Sequence, residues 1–217
     1  KELYKVIKAR LRQYRKQLEY ERRTVLSDET TSAYVETIKI EDIYVLIDRF
    51  GYIKTMDATA FSRVTEDTKK KFSFLITMKN TDKLCLFTAQ GNMYQVKAMQ
   101  LPRCKAKDKG TLIHSLCKMD NNEDVLLYTS FESLFESMLM FTTKSGYIKL
   151  VSGAEFDTNR TQISASKLDE GDCLVGISFL SAGEILSGNK KVILLTDKGL
   201  SLGFPIEEVR EFKKTSR

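Results

Sequence analysis

The sequence predicts a mainly β fold of propeller-like type, with about four hairpin-bearing blades in an open or incomplete ring, preceded by one N-terminal α-helix. Three observations predict it. The phrases LIDRFGYIKTM, LFTAQGNMYQV, MFTTKSGYIKLV and LLTDKGLSLGF repeat one design, an apolar strand, a polar turn, a glycine and a second strand. Their glycines, Gly51, Gly91, Gly146 and Gly199, recur at intervals of 40, 55 and 53 residues, the spacing of a blade repeat. The opening residues follow a helical period instead.

The helix is expected over residues 1–26. Leu3, Ile7, Leu11, Tyr14 and Leu18 form one narrow apolar stripe on an otherwise charged segment without proline or glycine, so the stripe needs a partner surface. Residues 27–40 are rich in Thr, Ser and Glu and read as a linker. From residue 41 to 217 short runs rich in Val, Ile, Leu, Phe and Tyr alternate with turn residues, the pattern of an all-β domain. Each hairpin turns at a glycine able to take positive φ. A strand precedes each of the last three hairpins: FSFLITM, VLLYTS and CLVGISF. Read as the first strand of its own blade, that strand is missing from the first hairpin. A closed ring then needs one from elsewhere, and a segment following Arg217 is the expected donor.

Composition excludes several function classes. The 217 residues, 42% hydrophobic, suffice for a sizeable core. No window approaches the roughly 18 apolar residues of a membrane span, and the charged first thirty residues lack the apolar core of a signal peptide, so no membrane partner and a cytoplasmic location are expected. Cys85, Cys104, Cys117 and Cys173 lie far apart and His114 is the only histidine, which argues for buried thiols and no metal site. Residues 1–40 hold 10 Lys/Arg against 6 Asp/Glu, and residues 41–217 hold 25 against 23. A nucleic-acid reading must therefore rest on local patches.

The order ERRT (21–24), a polar linker, EDIYVLIDRFGYIK (41–54), DKLCLFTAQGNMYQVKAMQLP (82–102) and DEGDCLVGISF (169–179) resembles the A subunit of bacterial type IIA DNA topoisomerases, DNA gyrase or topoisomerase IV. The resemblance runs from the end of the coiled-coil arm through the C-terminal β-pinwheel domain. It implies a domain that binds and bends double-stranded DNA around its rim. It also implies an A-subunit homodimer formed through a core outside this chain, an ATPase B subunit as partner, and ATP and Mg2+ as cofactors of the intact enzyme only. The family's nucleophilic tyrosine belongs to that core, and no catalytic residue is expected here. One departure favours topoisomerase IV over gyrase: where gyrase carries a glycine- and arginine-rich box, this chain has FSRVTEDTKKKF (61–72), with no glycine.

Chemistry in the residues themselves is limited to cations. No HExxH, phosphate-cradling glycine loop or Ser/His/Asp set occurs. The candidate DNA contacts are Lys54 and Lys149, each the lysine of GYIK, the run Lys69, Lys70 and Lys71, and the cluster Lys97, Arg103, Lys105, Lys107 and Lys109. Lys190, Lys191 and Lys198 complete the set. Repeated hairpins place equivalent lysines at equivalent points of a rim, which suits duplex binding by counterion release. The same lysines also fit solvated strand ends. A protein-interaction propeller without DNA binding is the alternative, for which the near-balanced charge of residues 41–217 and the acidic run DNNED (120–124) speak.

Overall fold

The computed structural model describes residues 2–20, 39–120, 122–181, 183–184 and 190–216. The chain forms two units, residues 1–38 and 39–217. In the first, helix α1 spans Glu2–Gln17, with Glu2 in its first turn and Arg15 and Lys16 in its last, charges that complement the helix dipole. None of its residues is buried within the chain. The remainder of the expected helix and most of the expected linker, residues 21–38, lie outside the described residues.

The second unit opens with the hairpin β1 (Asp42–Asp48) and β2 (Tyr52–Asp57). Two short helices, α2 (Ala58–Ser62) and α3 (Glu66–Lys69), lead to β3 (Phe72–Lys79). The second hairpin is β4 (Lys83–Thr88) and β5 (Asn92–Lys97), followed by β6 (Thr111–Leu112), α4 (Ile113–Cys117), β7 (Val125–Ser130) and α5 (Phe131–Phe135). The third is β8 (Ser137–Thr143) and β9 (Ile148–Ser152), followed by β10 (Gln162–Ser164) and β11 (Leu174–Ser181). The fourth is β12 (Lys191–Leu195) and β13 (Ser201–Pro205). The four turn glycines take φ between +77° and +89°, as the repeat demands.

Pairing corrects the assignment of the blades. Strand β3 joins β1, β7 joins β4 and β11 joins β8, all antiparallel. The strand preceding each hairpin therefore completes the blade behind it. The reason is which edge stands open: the second strand of each of the first three hairpins is taken on its far side by a later segment, so the first strand is left to accept the new one. That later segment is a strap which follows the next hairpin and runs back. Residues 102–112 return to β2, residues 158–164 to β5 and residues 209–216 to β9. The blade lacking an outer strand among the described residues is thus the fourth, not the first.

Packing follows from the two-residue period of a strand. Along β4, Leu84 and Leu86 face one core together with Val45, Ile47 and Ile53 of the first blade. Cys85 and Phe87 face another, with Leu139, Phe141 and Val151 of the third. A strand buried on both faces reads as a continuous apolar run, which is why KLCLFT shows no alternation. Val192, Leu194 and Phe204 of the fourth hairpin pack on Leu150, Met138 and Met140 of the third. The first blade's outer face is closed by its own helical insert: Leu46 and Met56 pack with Val64, Phe61 and Phe72, and Tyr44 stacks on Phe61 at 4.1 Å. On the fourth hairpin Ile193 and Leu195 are exposed.

Candidate nucleic-acid interface

The cationic candidates divide by what their ammonium groups touch. Lys54 and Lys149 are corrected: neither presents a free charge. Lys54 is 3% exposed and its Nζ donates to the carbonyls of Ala106 at 2.7 Å and Asp108 at 2.8 Å. Lys149 is 7% exposed and donates to the carbonyls of Lys214 and Ser216 at 3.4 and 2.5 Å. Burial lowers both ammonium groups from the ordinary lysine value, with Cys104, Asp108 and Asp48 pulling Lys54 partly back. The second strand of a hairpin lies under a strap, so its lysine points into the fold, whereas a free hairpin would turn it to solvent.

Around the first blade the structure brings two distant segments together. Ala106, in the strap, packs in the same apolar cluster as Ala60, Phe61, Val64 and Phe72 of the helical insert. Arg103 donates from Nη2 to Asp57 Oδ2 at 2.8 Å, tying the strap to the start of α2. Lys69, Lys70 and Lys71 therefore flank the same cluster as Lys105 and Lys107. With Arg63, Arg103 and Lys109 these two segments hold eight cations against Asp57, Glu66, Asp67 and Asp108. Sequence reasoning passed over Arg63 as part of this surface, because nothing in its neighbourhood signals that a strap from forty residues away arrives beside it.

Within that patch the charges are unequal. Lys69 pairs with Glu66 at 2.7 Å and lies over the Phe61 ring, and Lys70 stands 3.8 Å from Asp67. Asp108 turns its carboxylate onto the backbone N–H of Lys105 at 2.9 Å. Lys109 Nζ sits 4.0 Å over the Tyr52 ring. Lys71, Lys105, Lys107 and Lys109 are exposed and have no carboxylate partner among the described residues. The Asp57 carboxyl is held below its ordinary value by the Ala60 N–H it accepts from and then by Arg103.

The other candidates do not join this patch. Lys97 ends β5 opposite Lys83 on the second blade. Lys190 pairs with Glu184, Lys191 begins β12 and Lys198 lies in the turn of the fourth hairpin, at the opposite end of the blade series. Arg210 and Lys213 lie in the third blade's strap, a cationic segment without a shared motif to mark it in the sequence. Among the described residues no three His, Cys, Asp or Glu side chains gather as a metal site. No described helix is long and apolar enough to cross a membrane.

Residues 82–126 and 137–181 match the family model of the DNA gyrase C-terminal domain, β-propeller. The β-domain belongs to that family. The two matched segments contain the second and third hairpins. Among curated relatives, the DNA gyrase A subunit of Helicobacter pylori J99 is 31% identical over 99% of this chain and 27% of its own length. The topoisomerase 4 A subunit of Streptococcus pneumoniae is 28% identical over 95% of this chain and 26% of its own length. The chain thus spans about a quarter of the curated relatives it matches. The solved C-terminal domain of a DNA topoisomerase IV shares the fold, with a TM-score of 0.69 at 22% identity over 82% of this chain and 56% of that one. The Escherichia coli ParC C-terminal domain does so at 0.63 and 14%, over 81% and 69%.

Proposed function

We propose that this β-domain binds duplex DNA through its phosphates as the C-terminal domain of a type IIA topoisomerase A subunit, bending the duplex and guiding it onto the strand-passage core. The observation that carries the reading is the meeting of the helical insert and the first strap, which concentrates cations on a domain whose overall charge is almost balanced. Exposed ammonium groups without a carboxylate partner among the described residues, on the strap and at the end of the insert, suit counterion release without base readout. On this reading the core, the A-subunit homodimer contact, the ATPase B subunit, ATP and Mg2+ all belong to parts of the enzyme outside this chain, which works in the cytoplasm.

The finer assignment is topoisomerase IV rather than gyrase. The segment that replaces the glycine-rich box is folded into α2 and α3, and its lysines are opposed by Glu66 and Asp67, which supports guidance of DNA over tight wrapping. Anisotropy titration with a linear duplex at rising salt tests the first part: binding should weaken steeply, and Lys105→Glu, Lys107→Glu and Lys109→Glu together should weaken it further. Binding that ignores salt, or none at all, would sink it and leave the protein-interaction reading. A topology assay of the intact enzyme tests the second, with decatenation expected and net negative supercoiling pointing to gyrase.

A further inference from the structure

We infer that Lys54 is a positioning residue for DNA contact, a buried cation that never meets phosphate and instead holds the strap from which Lys105, Lys107 and Lys109 project. The inference rests on the DNA-binding reading above. Ala106 and Asp108 offer carbonyls two residues apart, and Lys54 Nζ takes both. Residues 105–108 form a turn, in which the Asp108 N–H donates to the Lys105 carbonyl at 3.1 Å, and with the carbonyls of Ala106 and Asp108 taken by Lys54 the turn leaves Lys105, Lys107 and Lys109 exposed.

The same device recurs down the blades. Lys149 takes the carbonyls of Lys214 and Ser216, and Gln95, one place further along its strand, donates from Nε2 to those of Thr158, at 2.9 Å, and Arg160. Three straps unlike in sequence are thus each held by one buried donor on two carbonyls spaced i and i+2. A side chain repeated with this geometry and withheld from solvent is placed to order backbone. Ordering matters to binding, because a strap already fixed spares the entropy of arranging several long cationic side chains on the duplex.

Besides the Arg103–Asp57 pair and the pairing of β6 with β2, the first strap is held at its start, its middle and its end. Thr55 bonds to its start, from its N–H to the Pro102 carbonyl at 2.8 Å and from its carbonyl to the Cys104 N–H at 3.1 Å. Lys54 holds the middle. At its end Gly110, at φ +85°, lies so close to the chain that a Cβ there would stand 2.3 Å from the Ile53 carbonyl oxygen. Of these three, only the Lys54 contact takes hydrogen-bonding groups from within residues 105–109, where Ala106 also packs on the helical insert.

The test is Lys54→Met in the whole chain, which keeps the apolar stem and removes the donor. Two readouts are taken, amide exchange of Lys105 and Asp108 and the salt dependence of duplex binding. We expect exchange at those amides to quicken while β1 and β3 stay protected, the log–log salt slope to fall by about 2, and Kd at about 0.1 M salt to rise roughly tenfold. A general loss of folded protein lowers the active fraction without changing the slope. Gly110→Ala loosens the strap from its far end with Lys54 in place and should reproduce the loss of slope, which keeps the test decisive should Lys54→Met not fold. An unchanged slope in either folded variant, or unchanged exchange in Lys54→Met, overturns the inference. If the unaltered chain binds no duplex, the DNA reading falls and takes the role of Lys54 in binding with it, while the exchange data still report whether Lys54 holds the strap.

Discussion

Arg103 donates to Asp57 Oδ2 at 2.8 Å while Asp57 Oδ1 accepts the N–H of Ala60 at 2.6 Å, so one carboxylate both caps α2 and binds the strap to the helical insert. That shared carboxylate joins the two halves of the cationic patch and at the same time cancels one of its charges. Stability and DNA affinity should accordingly pull apart there.

Asp57→Ala is expected to lower the melting temperature, through loss of the cap and of the tie to Arg103. It should also strengthen duplex binding about two- to threefold at low salt, because a negative charge leaves the patch and a guanidinium is released. Thermal melting and anisotropy on the same preparation check both directions. The Asp57 carboxyl is held below its ordinary value, so its contribution is present above the unfolded value near 3.8 and is lost as pH falls through the lowered one.

Lysines in the patch should differ in weight. Reversal of Lys105 and Lys107 to Glu is expected to reduce the salt slope by about 2 or more, about one per lost phosphate contact. Reversal of Lys69 and Lys70 should cost less affinity, since Glu66 and Asp67 already oppose those two charges. Equal losses in the two double variants would contradict this ordering.

The second core is centred on Phe156, which is fully buried with its ring 5.2 Å from Phe87 and 6.2 Å from Phe141. Phe156→Ala should destabilise the β-domain by about 3–5 kcal/mol through lost burial and the cavity left behind. Urea denaturation followed by circular dichroism reads this as a shifted midpoint. The Phe156 side chain belongs to the residues that follow the third hairpin yet packs on the second blade, so the loss should be felt by both.

Alkaline pH should unfold the domain through its thiols and phenols. Burial pushes the thiols of Cys85 and Cys117 from 9.0 up to about 12, and burial with a bond to Glu123 pushes Tyr94 upward as well. In each case the folded value is raised, so stability is full below the unfolded value, near 9 for the thiols and near 10 for Tyr94, and declines as pH rises from there. Each group adds a slope of about 1.4 kcal/mol per pH unit over that window. Cys85→Ala should flatten the dependence, measured as urea midpoints at several pH values between 8 and 11.

Much of the fold was legible because glycine and strand chemistry act locally. The phrase GYIK after a polar turn can do little but close a hairpin, and its two occurrences, with two further glycine hairpins at blade spacing, announce a repeat. The short helices were less legible: FESLF and ATAFS are apolar enough to pass for strand ends, and their caps, Ser130 and Asp57, are ordinary turn residues. The cationic cluster at 103–109 could be seen in the sequence, and its meeting with residues 61–72 could not, since nothing local tells a strap which blade it will return to.

Lys54 and Lys149 draw the boundary most clearly. By itself the sequence determined the hairpins, their number, the repeat and the apolar stripe of the first helix, all consequences of periodicities that a few residues set among themselves. Tertiary structure alone decided which strand completes which blade, and that a lysine in the phrase GYIK is turned inward. Both depend on a strap that arrives 52 residues after Lys54 and 67 after Lys149, and the energy of burying an ammonium group is met only where two carbonyls from that strap receive it.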